Sequence, residues 1–499
     1  MADIKELVGC KELHGKIVSP AEAAKLIKPG MTVGTSGFTP SGYPKVVPQA
    51  LADRAKAEGP VPITLWTGAS VGKELDGALV EAGCVTRRFP YQTNEVIRKA
   101  INSGKVAYAD LHLSHCAQNI RYGFFGKIDV AIIEALRITE DGGIVPTTSV
   151  GNSNAFVEMA DKVIVEVNTA QPAELDGIHD IYSPKNPPNR EAIPIEKVNA
   201  RVGTTAIPCP PSKIVAVVAS DVKDGQRALD PVDEISSKMA SNLLDFLSVE
   251  VKAGRLPKQL LPLQSGVGNV ANAVLVGLDE WPTDGLTVYT EVLQDAVFGL
   301  LDKGKVAFAS STALTPSPDG AAKYYPRMKE FRDRIVLRPQ EISNNPEVIR
   351  RLGIIAMNTA VEVDIYGHVN STMAGGTKML NGIGGSGDFA RNAYLTAFLC
   401  PSESGGGKIS KVVPFCSHID HTEHDVDIIV TEHGVADLRG LSPRERSIEI
   451  IKKCAHPDYR EALTDYRTRA ESAGGHEPHL LAEAFSFHVR LGTQGTMKQ

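Results

Sequence analysis

GLTVYTEVLQDAVFGLLDKGKV, residues 285–306, contains the transition that decides the fold. A β-rich run stops at Glu291, and a helical spacing of apolar residues begins soon after. Strand, acidic residue, helix is the grammar of an α/β sheet, in which each helix carries the chain back to begin the next strand. Ligands of open parallel sheets bind in the crevice beyond the carboxyl ends of the strands, so Glu291 is expected to project there. That position suits nucleophilic or acid/base chemistry. Taken alone it also suits a solvated carboxylate capping a helix N-terminus, where negative charge complements the dipole.

The same grammar runs outward from this stretch. Upstream, ITLWTG (63–68), VAIIEA (130–135) and KVIVEVN (162–168) alternate with longer helical segments. After PPSKIVAVVASD (210–221) comes the polar KDGQRALDPVD, then SSKMASNLLDFLSVEVKAG (236–254), whose apolar spacing predicts an amphipathic helix. A domain boundary is therefore expected near 220–232. The pattern restarts with LTVYTEV (286–292), GKVAFAS (304–310), KISKVVPF (408–415) and DIIVTEHGVADL (427–438). Two α/β halves of similar size follow, although no fixed repeat period emerges.

At 499 residues the chain is long enough for two domains, each with its own core. A hydrophobic fraction of 42% and a charged fraction of 22% exclude a disordered or fibrous class. The net charge of -6 is not gathered into blocks, so neither nucleic acid nor a membrane is an expected partner. No run approaches membrane-spanning length, and MADIKELVGCKELHGKIVSP lacks the parts of a secretory signal; a cytoplasmic protein is expected. The seven cysteines are scattered, with no Cys-x-x-Cys pair, and are read as reduced and mostly packed.

Two glycine-rich segments bear on Glu291. GVGNVANAVLVGL (266–278) and NGIGGSGDFARNA (381–393) each place glycines before a helical pattern, freeing backbone amides for an anion or a carbonyl oxygen. With SNNPEVIRRLGIIAMNTA (343–360), TEHGVADLRG (431–440) and GTSGFTPSGYPKVVPQAL (34–51), these stretches resemble the acetyl-CoA hydrolase/transferase family, within the class I CoA-transferases. The likeness covers nearly the whole chain, and the combination of GVGNV, YTEVLQD and GIGGSGDF carries it.

The resemblance implies two tandem open-sheet α/β/α CoA-transferase domains, 1–225 and 226–499, the second holding the catalytic glutamate and most of the CoA site. It implies that Glu291 attacks an acyl-CoA, that CoA then forms a thioester on Glu291, and that a second carboxylate receives it in ping-pong order, with succinyl-CoA and acetate as the expected pair. Asn344 is implied as a neutral donor beside that thioester, and the backbone amides of Val267 and Gly385 as oxyanion donors. Gly266, Val267, Gly268, Asn269, Val270, Asn381, Gly385 and Lys408 are implied to contact CoA, which is a substrate; no tightly bound cofactor and no metal is expected. A homodimer is likewise implied.

For the acid substrate, Ser70 in TGASVG and Arg227 are candidates, with Glu432 a candidate partner of that arginine. Ser70 reads equally as a turn cap, and Arg227 as a surface residue of the interdomain segment. SHIDHTEHD (417–425) crowds His418, Asp420, His421, Glu423 and His424 together without the HExxH spacing, and is read as a hydrogen-bonded turn. HLSHCAQ (112–118) is read as a packed strand end, and Trp66 and Trp281 as core. Two rival functions remain: acyl-CoA hydrolysis on the same fold, and a non-catalytic module binding CoA or a sugar phosphate.

Overall fold

The computed structural model describes residues 4–69, 72–266 and 268–499, so Ser70 and Val267 lie outside the described residues. Two compact units divide the chain. The first comprises Met1–Ala228, Thr287–Asp302 and Val306–Leu352; the second comprises Leu229–Leu286, Lys303–Lys305 and Gly353–Gln499. The compact units thus differ from a single cut after residue 225, because the segment bearing Glu291 packs with the first unit.

The first unit is built on strands β1 (Thr32–Thr35), β2 (Ile63–Trp66), β3 (Val85–Phe89), β4 (Ala107–Tyr108), β5 (Ile128–Ile138), β6 (Ile144–Pro146), β7 (Ala160–Asn168) and β8 (Ile214–Ser220). They pair in the order β4-β3-β2-β1-β5-β7-β8, with β6 beside β5. All these pairings are parallel except that of β5 with β6. Parallel strands covered on both faces read as near-continuous apolar runs, and β5, IDVAIIEALRI, is buried at most positions for this reason. Val33, Ile63, Leu65, Val130, Ile132, Ile164 and Val218 join Val47, Leu51 and Leu75 in one core.

Residues 306–352 belong to this unit through specific ties. Strand Val306–Ser311 pairs in parallel with Ile335–Leu337. The Leu314 amide donates to the Thr148 carbonyl at 2.8 Å, and the Gln340 amide to the Gly151 carbonyl at 2.8 Å. Arg121 grips Glu341 through two bonds of 2.6 and 2.7 Å, and the fully buried Arg338 pairs with Asp180. Buried charges of this kind must be matched, because breaking such a pair costs about 3–5 kcal/mol.

In the second unit, strands Leu263–Ser265, Ile355–Thr359, Leu395–Leu399 and Ile428–Thr431 pair in parallel in that order, and Gly434–Asp437 closes the edge as an antiparallel hairpin. Its core gathers Val363, Tyr366, Phe398, Ile429, Ile450 and Tyr459. Helix Glu234–Lys252 forms where the apolar spacing places it, started by Asp233, whose carboxylate accepts from the Ser236 amide at 2.6 Å.

Some local expectations change. HLSHCAQ is not a strand end: Leu113–Arg121 is a helix, and its buried Leu113, Cys116, Ala117 and Ile120 fall at helical, not alternating, spacing. KISKVVPF supplies only the two-residue strands Ile409–Ser410 and Val412–Val413. All seven cysteines are free and buried, and Trp66 and Trp281 are core residues. No helix among the described residues is long and apolar enough to cross a membrane.

Candidate active site

Strand Leu286–Tyr289 ends two residues before Glu291, and the next pairing, Val292–Leu293 with Ala313–Leu314, begins directly after it. Glu291 therefore occupies a bend between two short strands, and its backbone is fixed there. Its carbonyl accepts from the amides of Thr312 at 3.0 Å and Ala313 at 3.1 Å. The side chain is half-buried, and Oε1 accepts a 3.1 Å hydrogen bond from Asn344 Nδ2.

Asn344 owes its position to the local code SNNP. Helix Gln340–Ser343 stops at Asn344, whose amide donates to the Gln340 carbonyl at 2.8 Å. Asn345 then accepts from the amides of Glu347 at 3.0 Å and Val348 at 3.3 Å, starting helix Pro346–Leu352 with proline at its first position. Tyr289, the last residue of the strand that leads to Glu291, donates its hydroxyl to the Ile342 carbonyl at 2.7 Å. One strand end and one short helix are thereby locked together, which sets the carboxylate–amide distance.

Asn344 is fully buried, and its Oδ1 has no partner among the described residues. A buried carbonyl oxygen without a partner is costly. The amide offers donors and no charge: it can stabilise a negative oxygen on or near Glu291 without neutralising the carboxylate beforehand.

Apolar residues flank the bend. Phe38, Ala69, Leu113, Val292 and Ala313 form a buried cluster with Tyr91 packed against it. Thr39 (φ 53°) and Tyr91 (φ 43°) both hold left-handed backbone conformations at this cluster. Strain of this type costs about 1–3 kcal/mol per residue and concentrates at functional sites. Gln340 Nε2 donates to the Leu113 carbonyl at 2.9 Å, joining this wall to the helix that precedes Asn344. None of Tyr289, Gln340 or the wall residues is legible as functional in the sequence, because each acts through a neighbour distant along the chain.

The remaining predicted residues distribute between the units. Arg227 is exposed and donates to Thr93 Oγ1 at 2.8 Å, within the first unit. In the second unit, Glu432 sits at a hairpin tip; it accepts from the Ser402 amide at 2.9 Å and from the Ser402 hydroxyl. Each has a partner within its own unit. Gly266 ends strand Leu263–Ser265 with its amide on the Met357 carbonyl at 3.0 Å. Gly268, at φ 109°, is the N-cap of helix Asn269–Gly277, which contains Val270, and only glycine enters that conformation without cost. Gly385 is the N-cap of helix Ser386–Ala390, Asn381 opens the loop before it, and Lys408 is exposed on a hairpin whose backbone holds the Met497 amide at 2.7 Å.

Gly382, Gly384 and Gly387 stand at GxGxxG spacing. The context of a dinucleotide site is missing, because the run follows the two-residue strand Lys378–Met379 and opens a helix of 5 residues. Within the His-rich turn, His418 meets Asp420 at 3.2 Å, and Glu423 meets His368 Nε2 at 2.9 Å. His368, Glu423 and Glu477 bring ligand-type atoms within 4.8 Å of one another. Nδ1 of His368 faces Asp364 at 3.0 Å while Nε2 faces Glu423, so both ring nitrogens act as donors, as in an imidazolium. Burial lowers the pKa of that ring, but its hydrogen bond to Asp364 and the charges of Asp364, Glu477 and Glu423 outweigh it and push it up to about 9.

The site so described is a half-buried carboxylate at a strand end of an α/β fold, held beside a neutral amide. The chain belongs to the acetyl-CoA hydrolase/transferase family: its N-terminal domain model matches residues 1–219 and its C-terminal domain model residues 320–467. It is 54% identical over 489 residues to the succinyl-CoA:acetate CoA-transferase of Clostridium kluyveri, covering 98% of this chain and 91% of that one. It is 48% identical to an acetyl-CoA hydrolase of Schizosaccharomyces pombe, covering 98% and 97%. The crystal structure of RipA from Yersinia pestis has the same fold, with a TM-score of 0.73 at 22% identity, over 94% of this chain and 99% of that one.

Proposed function

We propose that this protein transfers CoA from an acyl-CoA, succinyl-CoA foremost, to a small carboxylate such as acetate, through a thioester on Glu291. The observation that carries this reading is the 3.1 Å contact between Glu291 Oε1 and Asn344 Nδ2. The Glu291 carboxylate attacks the acyl carbonyl, forming an anhydride and releasing CoA thiolate. The thiolate attacks the Glu291 carbonyl of that anhydride, giving the glutamyl thioester and freeing the first acid. A second carboxylate then runs both steps in reverse, so the thioester bond is kept rather than lost to water. Asn344 supplies a donor to the oxyanions without competing as a nucleophile. CoA is assigned to the glycine-rich turns of the second unit, at Gly266, Gly268, Asn269, Val270, Asn381 and Gly385, with Lys408. Ser70, Arg227 and Glu432 are assigned to the carboxylate substrate. We place the enzyme in the cytoplasm as a homodimer.

Hydrolysis is the second reading, supported by the relatives that carry that name. Transfer is preferred because a covalent CoA intermediate serves no purpose when water is the acceptor. The test is to incubate the protein with succinyl-CoA and measure intact mass with and without borohydride. A CoA adduct on Glu291 that borohydride removes, together with acetate-dependent acetyl-CoA formation, is expected. CoA release at a rate indifferent to acetate assigns the hydrolase instead.

A further inference from the structure

The turn SHIDHTEHD has no task in the scheme above, yet its side chains close on the two chain segments that flank the Asn381–Gly385 loop. On one side, Asp420 accepts from the Ser371 amide at 2.7 Å and from Thr372 Oγ1 at 3.0 Å. The His421 backbone bonds Val369 in both directions, at 3.1 and 2.9 Å. The Thr372 carbonyl in turn accepts from the Leu380 amide at 2.8 Å, which fixes the residue just before Asn381.

On the other side stands the His421 ring, 1% exposed and packed 4.7 Å from Phe398. Its Nε2 lies 3.1 Å from Ser386 Oγ and 3.4 Å from Ser371 Oγ. Ser386 uses its single hydroxyl proton on the Ile383 carbonyl at 2.8 Å. Its oxygen is thus the acceptor toward His421, and Nε2 carries the proton. The stretch between the two anchors, residues 381–385, is NGIGG, with Gly384 at φ 60°. Glycine-rich backbone has the largest conformational freedom to lose and cannot hold itself in one shape.

We infer that His421, together with Asp420, is a positioning residue that fixes the Asn381–Gly385 loop for acyl-CoA by binding Ser386 on one side and the 371–372 turn on the other. This rests on the assignment of the loop to acyl-CoA made above. An error of about 1 Å in a positioned group costs on the order of 10²-fold in rate.

The test follows adduct formation by quenched-flow intact mass at saturating succinyl-CoA. His421→Leu and Ser386→Ala are expected to slow it by about tenfold or more, and the double variant to be no slower than the worse single one, as for members of one network. His421→Gln, whose amide nitrogen reaches the place of Nε2, is expected to recover most of the rate. Ser386→Ala is expected to melt within about 3 °C of the parent, so that its slower rate is not a loss of fold. An unchanged rate in Ser386→Ala overturns the inference, and so does a His421→Gln as slow as His421→Leu. If His421→Leu does not fold, Ser386→Ala decides. Absence of the adduct in the unsubstituted protein is a different failure, that of the proposed function.

Discussion

Glu134 and Glu291 are both glutamates of the first unit associated with parallel strands, and their surroundings oppose each other. Glu134, 1% exposed, receives Lys45 Nζ at 2.5 Å, Thr147 Oγ1 at 2.7 Å, Asn168 Nδ2 at 2.8 Å and Gln171 Nε2 at 3.3 Å. Lys45 also meets Asp224 at 2.9 Å. Burial pushes the Glu134 carboxyl up and the Lys45 charge pulls it back. These four donors, one of them a cation, leave no lone pair with which to attack. Glu291 is half-buried and meets the neutral amide of Asn344. The lesson is that a cation which saturates a carboxylate makes it structural, whereas a neutral amide beside a carboxylate leaves its charge intact and can donate to a negative oxygen formed later.

The comparison breaks most directly at Glu291 itself. Glu291→Gln is expected to abolish the borohydride-sensitive adduct and lower turnover by at least about 10³-fold, with an unchanged melting curve, since nucleophiles are not replaced by binding alone. Turnover persisting in that variant removes the contrast. The converse holds at Lys45: Lys45→Met strands Glu134 and Asp224 as buried charges and is expected to cost ~3–5 kcal/mol of stability in denaturant titrations. A Lys45→Met protein as stable as the parent shows that saturation of Glu134 is not structural.

Smaller effects sharpen the contrast. Asn344→Leu removes the neutral donor and is expected to lower turnover by roughly 10²-fold, as loss of one oxyanion donor does elsewhere, while the protein remains folded. The mildest case is His368, a titratable cation among Asp364, Glu423 and Glu477, with a pKa raised from 6.5 to about 9. A raised pKa means that the stabilisation is fully present below pH 6.5 and is lost as pH climbs through about 9. The melting midpoint is therefore expected to fall by about 2–4 °C between pH 6.5 and 9.5. His368→Gln is expected to flatten that slope; an unaltered slope in the variant shows that the pH dependence has another source.

How much of this was legible in advance depends on the range of the interactions involved. YTEV announces a strand ending near an acid, a signal that lies within a few residues, and the strand forms there. Helix Leu113–Arg121 differs from the expected strand end because its apolar positions recur at helical, 3.6-residue spacing. The wall of Phe38, Leu113, Val292 and Ala313 gives no local signal, because its members come from separate parts of the chain.

The sequence by itself determined the α/β class, the buried reduced cysteines, the site of Glu291 at a strand's end and the glycines that positive φ angles require. The class and the strand end follow from periodicity, the glycines from the steric limits of the backbone, and the cysteines from their scatter without a Cys-x-x-Cys pair. Only the tertiary structure decided that residues 287–302 and 306–352 pack with the N-terminal unit, and it gave the distance, 3.1 Å, of the Asn344–Glu291 neighbourhood that the family resemblance implies. It alone also showed that Glu134 is a buried carboxylate saturated by donors, because burial and hydrogen-bond partners are properties of the assembled core, and no local pattern encodes them.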